Sequence, residues 1–237
     1  MDDPRQNLDS LNEEIFACRR CPRLVEWREH IARTRKKAFT EWEYWGKPVT
    51  GFGDINGRVL ILGLAPGAHG SNRTGRMFTG DGSGNFLYPA LFSAGFANQP
   101  IATSFDDGLE LNDIFISAVC RCAPPDNKPS KEEIFNCQEY LLGELVLMKN
   151  LNGIVALGKI AFDSSLGLIK DRFGAEWKDQ PKFGHGRLYY ANNLPSSIPW
   201  LLASYHPSRQ NTQTGRLTPV MFQDIWKKTR KLLENSL

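Results

Sequence analysis

No stretch of this 237-residue chain approaches the ~18 consecutive apolar residues of a membrane span. Internal repeats and low-complexity tracts are also missing, which excludes disorder, collagen and coiled coil as the main theme. The chain lacks an excess of one charge: Lys and Arg total 29 against 26 Asp and Glu, a net +3 that does not by itself select a polyanionic partner. Met1-Asp2-Asp3-Pro4 is acidic and polar, unlike a secretory signal, so the expected setting is the cytoplasm. Cysteine is scarce, five in all. In a reducing compartment these five suit metal binding or catalysis better than disulfides.

What is there is a globular composition, 41% hydrophobic and 23% charged, long enough to bury a core without staples. Basic residues cluster in two places. Between Cys18 and Lys37 stand Arg19, Arg20, Arg23, Arg28, Arg33, Arg35, Lys36 and Lys37; near the C-terminus stand Lys227, Lys228, Arg230 and Lys231. Such clusters suit the phosphates of nucleic acid or, equally, a solvated helix face.

Ser10-Leu11-Asn12-Glu13 has the capping-box pattern and predicts a helix starting there, and Pro22 opens a second. Trp42–Gly57 reads as an irregular connector. Val59–Leu62, Asp113–Val119, Gly153–Gly158 and Trp200–Ser204 are short apolar runs that read as buried strands. Helices are predicted near Asn85–Gly95, from the capping box Ser130-Lys131-Glu132-Glu133, after Gly158, and from Thr218-Pro219. Strands alternating with helices predict an α/β fold, three layers around a central, mainly parallel sheet. The whole of 1–237 reads as one domain with an N-terminal helical segment. Three unusual loops follow three of the strands: Gly63–Asp81, Cys122–Asn127 and His206–Asn211. Ligands of such sheets sit beyond the carboxyl ends of the strands, so the loops are expected to share one edge.

Cys18 and Cys21 form a C-x2-C pair, and Cys137 falls on the apolar face of its helix. With Cys122 these suit zinc or an iron–sulfur group, although buried cysteines also serve as small hydrophobes. Cys120 and Cys122 share one side of a strand, so spacing alone does not choose between them. The loop Gly63-Leu64-Ala65-Pro66-Gly67-Ala68-His69-Gly70 lacks the Lys-Ser/Thr of a P-loop and is not G-x-G-x-x-G, so a nucleoside triphosphate site is disfavoured.

That loop, continued by Gly75-Arg76 and Phe78-Thr79-Gly80-Asp81, closely resembles the first motif of the uracil-DNA glycosylase superfamily, and most of all its family 5, the type-B iron–sulfur enzymes. Cys18-Arg19-Arg20-Cys21-Pro22-Arg23-Leu24, then Arg121-Cys122-Ala123-Pro124-Pro125-Asp126-Asn127-Lys128-Pro129, then Ser204-Tyr205-His206-Pro207-Ser208-Arg209-Gln210-Asn211, are similar to its remaining motifs, in order. The resemblance implies a repair hydrolase that flips a damaged base out of DNA and cleaves its N-glycosidic bond. It implies a [4Fe-4S] cluster on Cys18, Cys21, Cys122 and Cys137, selecting Cys122 over Cys120. Asp81 and Asn127 would place the water, and His206 would donate to the base carbonyl. Phe78 would stack on the base, with Gly63, Ala65, Gly67 and Ala68 lining its pocket.

The sequence departs from related families at several points. Leu64 stands where they carry an Asp or Glu, which moves the carboxylate role to Asp81. Ala118 stands where uracil-strict relatives carry Asn, implying looser selection that reaches hypoxanthine and other deaminated or alkylated bases. Met77 replaces a usual Pro. Arg209 and Gln210, followed by Asn211, stand where others carry an apolar wedge. Plainer roles also exist: Asp81 as a helix cap, Asn127 as a turn residue, Phe78 as core, His206 as a loop residue. The expected partner is DNA, with no membrane, for a monomer in the cytoplasm associated with the nucleoid. A non-catalytic iron–sulfur or zinc DNA-binding protein, or an electron carrier built on the cluster, are the rival expectations.

Overall fold

The four apolar runs become the core of one sheet in a computed structural model, which describes residues 4–177, 180–191 and 199–235. Met1, Asp2 and Asp3 lie outside them. The strands β2 (Val59–Gly63), β3 (Ile114–Ala118), β4 (Gly153–Leu157) and β6 (Trp200–Ser204) are parallel, in the order β3-β2-β4-β6. Every residue in them is buried, as continuous apolar runs require when helices cover both faces. Two-residue antiparallel strands, β1 (Phe52–Gly53) and β5 (Leu188–Tyr189), close the edges.

Alternate strand residues feed two separate cores. Ile61, Ile116, Val155 and Leu202 point to one side, where α4 (Gly84–Ser93) and α8 (Pro219–Glu234) supply Leu87, Leu91, Phe222 and Trp226. Leu60, Phe115, Ile154 and Leu201 point to the other, against α5 (Lys131–Leu147) and α6 (Lys159–Phe173), which supply Leu141, Leu145, Phe162 and Ile169. The result is a three-layer α/β/α arrangement with a mainly parallel sheet. Among the described residues no helix is long and apolar enough to cross a membrane.

Local signals set most helix ends. Ser130 Oγ accepts from Glu133 N while the Glu133 carboxylate accepts from Ser130 N, completing the capping box of α5. Thr218 caps α8 ahead of Pro219. The first helix corrects the expectation: α1 spans Pro4–Ala17, and Ser10 lies inside it, its Oγ donating back to Gln6 O at 3.1 Å. Serine inside a helix can satisfy itself this way, so the capping-box pattern alone does not mark a start. Pro22 does open α2 (Pro22–Thr34).

Behind the sheet lies a buried polar knot. Glu144 is fully buried, and its Oε2 accepts from Arg121 Nη2 and Ser117 Oγ, each at 2.6 Å, while Oε1 accepts from Gly51 N at 3.2 Å. Removing one member of such a pair strands the other charge. Glu144→Ala is therefore expected to cost about 3–5 kcal/mol in chemical denaturation, and Glu144→Gln clearly less. A loss below about 1 kcal/mol for Glu144→Ala would show that the knot is not a structural pair.

Candidate active site

The loops leaving β2, β3 and β6 meet at the carboxyl edge of the sheet around a cavity of about 580 Å³. This falls within the ~300–1,000 Å³ typical of small-molecule sites. Gly63, Ala65, Gly67, Phe78, Asp81 and Ala118 line it, as do Asn127, His206, Arg209 and Gln210. Leu64, Ser71, Met77, Lys128 and Ser208 line it too; Lys128 and Ser208 fall inside the middle and last motifs without a role assigned to them, and Ser71 falls just past the glycine turn. Ala68 and Asn211 do not reach the wall. The Ala68 carbonyl accepts from Asn72 Nδ2 at 3.5 Å, and Asn211 Nδ2 donates to His206 O at 2.8 Å, so Asn211 braces the histidine loop from behind.

Asp81 shows how one carboxylate serves two ends. Its Oδ1 accepts from Ser83 N at 2.9 Å and Gly84 N at 3.0 Å, capping the entry to α4. Its Oδ2 has no hydrogen-bond partner among the described residues and lies against the glycine turn. A Cβ on Gly67 would come within 2.9 Å of that oxygen, and one on Gly70 would overlap it. These glycines are required because the carboxylate needs their space. Burial raises the Asp81 pKa above the usual carboxylate value, opposed by the Gly84 and Ser83 amides and by the charges of Arg209 and Arg73.

Arg73 holds the two ends of the motif together. Nε donates to His69 O at 2.9 Å and Nη2 to Gly80 O at 2.8 Å, and the guanidinium lies 4.0 Å from the ring centres of both Phe39 and Trp42. His69 faces away from the cavity and pairs with the Tyr44 hydroxyl at 3.1 Å.

Phe78 adopts φ 53°, a left-handed conformation that is costly for a bulky residue. Neighbours enforce it: Tyr88 Oη donates to Met77 O at 2.7 Å, and Gly84 passes so close that a Cβ there would overlap the Phe78 carbonyl oxygen. Gly63 leaves room for the ring, which stacks on His206 with centroids 5.8 Å apart and planes 29° apart. Desolvation pushes the His206 pKa down to about 4. Across the cavity, Asp126 and Asn127 follow two prolines with φ 54° and 55°. Asn tolerates this conformation; the Asn127 backbone N–H donates to Pro124 O at 3.2 Å, while no partner among the described residues holds its side-chain amide.

Cys18, Cys21, Cys122 and Cys137 line one small cavity, joined by Arg121 and Asn136. Cys18 follows α1, Cys21 precedes Pro22 of α2, Cys122 follows β3 and Cys137 sits on α5. Cys120 is fully buried and is not part of that lining. Among the described residues no three His, Cys, Asp or Glu side chains converge as one metal ion requires. The surroundings nevertheless fit an anionic sulfur-bound group. Burial pushes the Cys122 thiol up to about 12 even though Arg28 donates to its Sγ at 2.8 Å. Arg28 Nε and Arg121 Nε and Nη1 are buried without a hydrogen-bond partner among the described residues. Four soft donors beside two buried cations match a thiolate-ligated iron–sulfur cluster in charge and chemistry.

The eight-residue basic cluster divides. Arg19, Arg20 and Arg23 pair with Glu29, Glu139 and Glu133, and Arg28 is buried, while Arg33, Arg35, Lys36 and Lys37 stay exposed.

The family described as the Uracil DNA glycosylase superfamily matches residues 50–230. The chain belongs to that superfamily. A type-5 uracil-DNA glycosylase of Thermus thermophilus is 49% identical over 220 residues, covering 93% of this chain and 95% of the relative. One from Mycobacterium bovis is 48% identical over 223 residues, covering 94% and 80%. A type-4 uracil-DNA glycosylase of Pyrobaculum aerophilum is 30% identical over 203 residues, covering 85% and 83%. Within the superfamily frame, the His206 environment makes a direct prediction. The folded imidazole titrates near 4 against an ordinary 6.5. It stays neutral at working pH, and its contribution to stability is lost as pH falls through that window, because the unfolded chain takes the proton first. The His206 imidazole resonance, assigned by its loss in His206→Asn, should titrate below about pH 5 in the folded protein, and a midpoint for His206 at the ordinary value of about 6.5 would refute its desolvation.

Proposed function

We propose that this protein removes uracil from DNA by hydrolysing the bond between the base and deoxyribose, leaving an abasic site for base excision repair. The observation that carries this reading is the meeting of Asp81, Asn127, Phe78 and His206 around one cavity. The base must leave the helical stack before any group can reach its glycosidic bond. Phe78 offers a fixed aromatic face for any planar base. The neutral His206 imidazole donates a hydrogen bond where negative charge grows on the departing base. Asp81 Oδ2 and the Asn127 amide hold the attacking water, one as acceptor and one through its amide. The carboxylate also faces the positive charge that builds on the sugar, a complementarity that grows toward the transition state. Because Oδ1 is tied to the start of α4, the direction of Oδ2 is set before substrate arrives.

Ala118 leaves the base edge unread at the end of β3, which supports acceptance of hypoxanthine and other deaminated or alkylated bases alongside uracil. Arg209 and Gln210 occupy the rim, where polar side chains would fill the gap left by the base. Cys18, Cys21, Cys122 and Cys137 would hold a [4Fe-4S] cluster. Held there, such a cluster would close a loop of ~100 residues and fasten the N-terminal helices to the sheet. The hydrolysis needs no electron. The protein acts in this reading as a cytoplasmic, nucleoid-associated monomer and as one domain.

The test uses labelled oligonucleotides carrying uracil, hypoxanthine or intact bases, with alkali to cut abasic sites. Cleavage at uracil is expected; DNA binding without cleavage would favour a non-catalytic iron–sulfur or zinc DNA-binding protein. Asp81→Asn keeps an oxygen to cap α4, so it should bind DNA normally while losing about 10²–10⁴ in rate, as Asp81→Ala should. Full activity in Asp81→Asn would remove the carboxylate from the mechanism. Cys122→Ala should lose the brown colour and lower stability, whereas Cys120→Ala should do neither; the reverse would exchange the two ligand assignments.

A further inference from the structure

Arg28 is 2% exposed and has no carboxylate within ion-pair distance among the described residues. A buried cation without a counter-charge is worth several kcal/mol of penalty, so something anionic must face it. Its head group points into the cysteine ring: Nη1 donates to Cys122 Sγ at 2.8 Å and Nη2 to the Cys18 carbonyl at 3.2 Å. Its backbone serves the other centre. The Arg28 carbonyl accepts from Asn72 Nδ2 at 3.2 Å. Asn72 is fully buried in α3 (Ser71–Thr74), and its own N–H donates to the Gly67 carbonyl at 3.0 Å. Gly67 is one of the two glycines against which Asp81 Oδ2 rests.

We propose that Arg28 is a positioning residue, held by the negative charge of the cysteine centre, which through Asn72 seats the glycine turn against Asp81. Base release thereby depends on an intact centre although the centre takes no part in the chemistry. The proposal rests on the uracil-removing reading above and on the cluster assignment. It gives the cluster a task beyond fastening the N-terminal helices: its charge fixes one end of a short buried chain, and the catalytic turn hangs on the other.

The experiment compares iron-loaded wild type, Arg28→Met, Asn72→Ala and the double variant. Four quantities are read: iron per chain, the midpoint potential of the cluster, DNA affinity, and single-turnover release of uracil. Arg28→Met removes a positive charge beside a thiolate, so its midpoint potential should fall, while Asn72→Ala leaves the potential unchanged. Both should slow uracil release about 10- to 100-fold at unchanged DNA affinity, the cost of a misplaced group rather than a missing one. The double variant should be no slower than the slower single, because both cut the same chain. Wild-type rates in either loaded single variant, or multiplying losses in the double, would overturn the proposal. Should Arg28→Met fail to load iron, Asn72→Ala decides alone: full iron with slow release supports the linkage, and full iron with wild-type release overturns it. Wild type that releases no uracil would instead reject the functional reading itself.

Discussion

One carboxylate governs the geometry of this protein. Asp81 spends one oxygen on the amides that open α4 and presses the other against two glycines of the preceding turn. The first contact fixes the second. A carboxylate pinned on one side by two N–H groups cannot rotate freely, so its outer oxygen is oriented by the same bonds that start a helix. The glycine turn is then shaped to that oxygen, and Arg73 ties the turn at His69 to Gly80, the residue before the carboxylate. Helix capping and orientation of the outer oxygen are therefore one structural event.

The rest of the molecule supports that event from two directions. The parallel strands bring the late histidine loop beside the first motif, and the strained Phe78 is held against His206 by Tyr88, Gly63 and Gly84. On the far side, the cysteine ring gathers residues from the connection between α1 and α2, from the segment after β3 and from α5. Arg23 reinforces it by reaching Glu133 at the start of α5 with Nε at 2.8 Å and Nη2 at 2.6 Å. The two centres are linked through α2 and the short α3, where Asn72 Nδ2 donates to the Arg28 carbonyl at 3.2 Å.

Much of this was legible in the residues. Continuous apolar runs marked the four parallel strands, because strands covered on both faces leave no alternation to obscure them. Ser130 and Thr218-Pro219 marked helix starts because the matching side-chain bonds form. Ser10 misled because its hydroxyl satisfies itself within a helix that begins at Pro4. β1 and β5 are two residues long and carry no period to detect. The site motifs announced the loops but not the division of labour inside them. The motif is compatible with Asp81 as a helix cap or as a functional carboxylate, and only the three-dimensional contacts separate the surroundings of its two oxygens. Nothing in the run of basic residues around Arg28 marks it as the buried one, since burial of a cation depends on partners far away in the chain.

The most direct test of this account is a crystal structure of the loaded protein with DNA carrying a 2′-fluoro analogue of deoxyuridine, which resists cleavage. The everted base should lie against Phe78 with its carbonyl toward His206, and an ordered water should sit between Asp81 Oδ2, the Asn127 amide and the sugar carbon. A base bound in the cavity with Asp81 turned away from that carbon, and the water held by other groups, would contradict it.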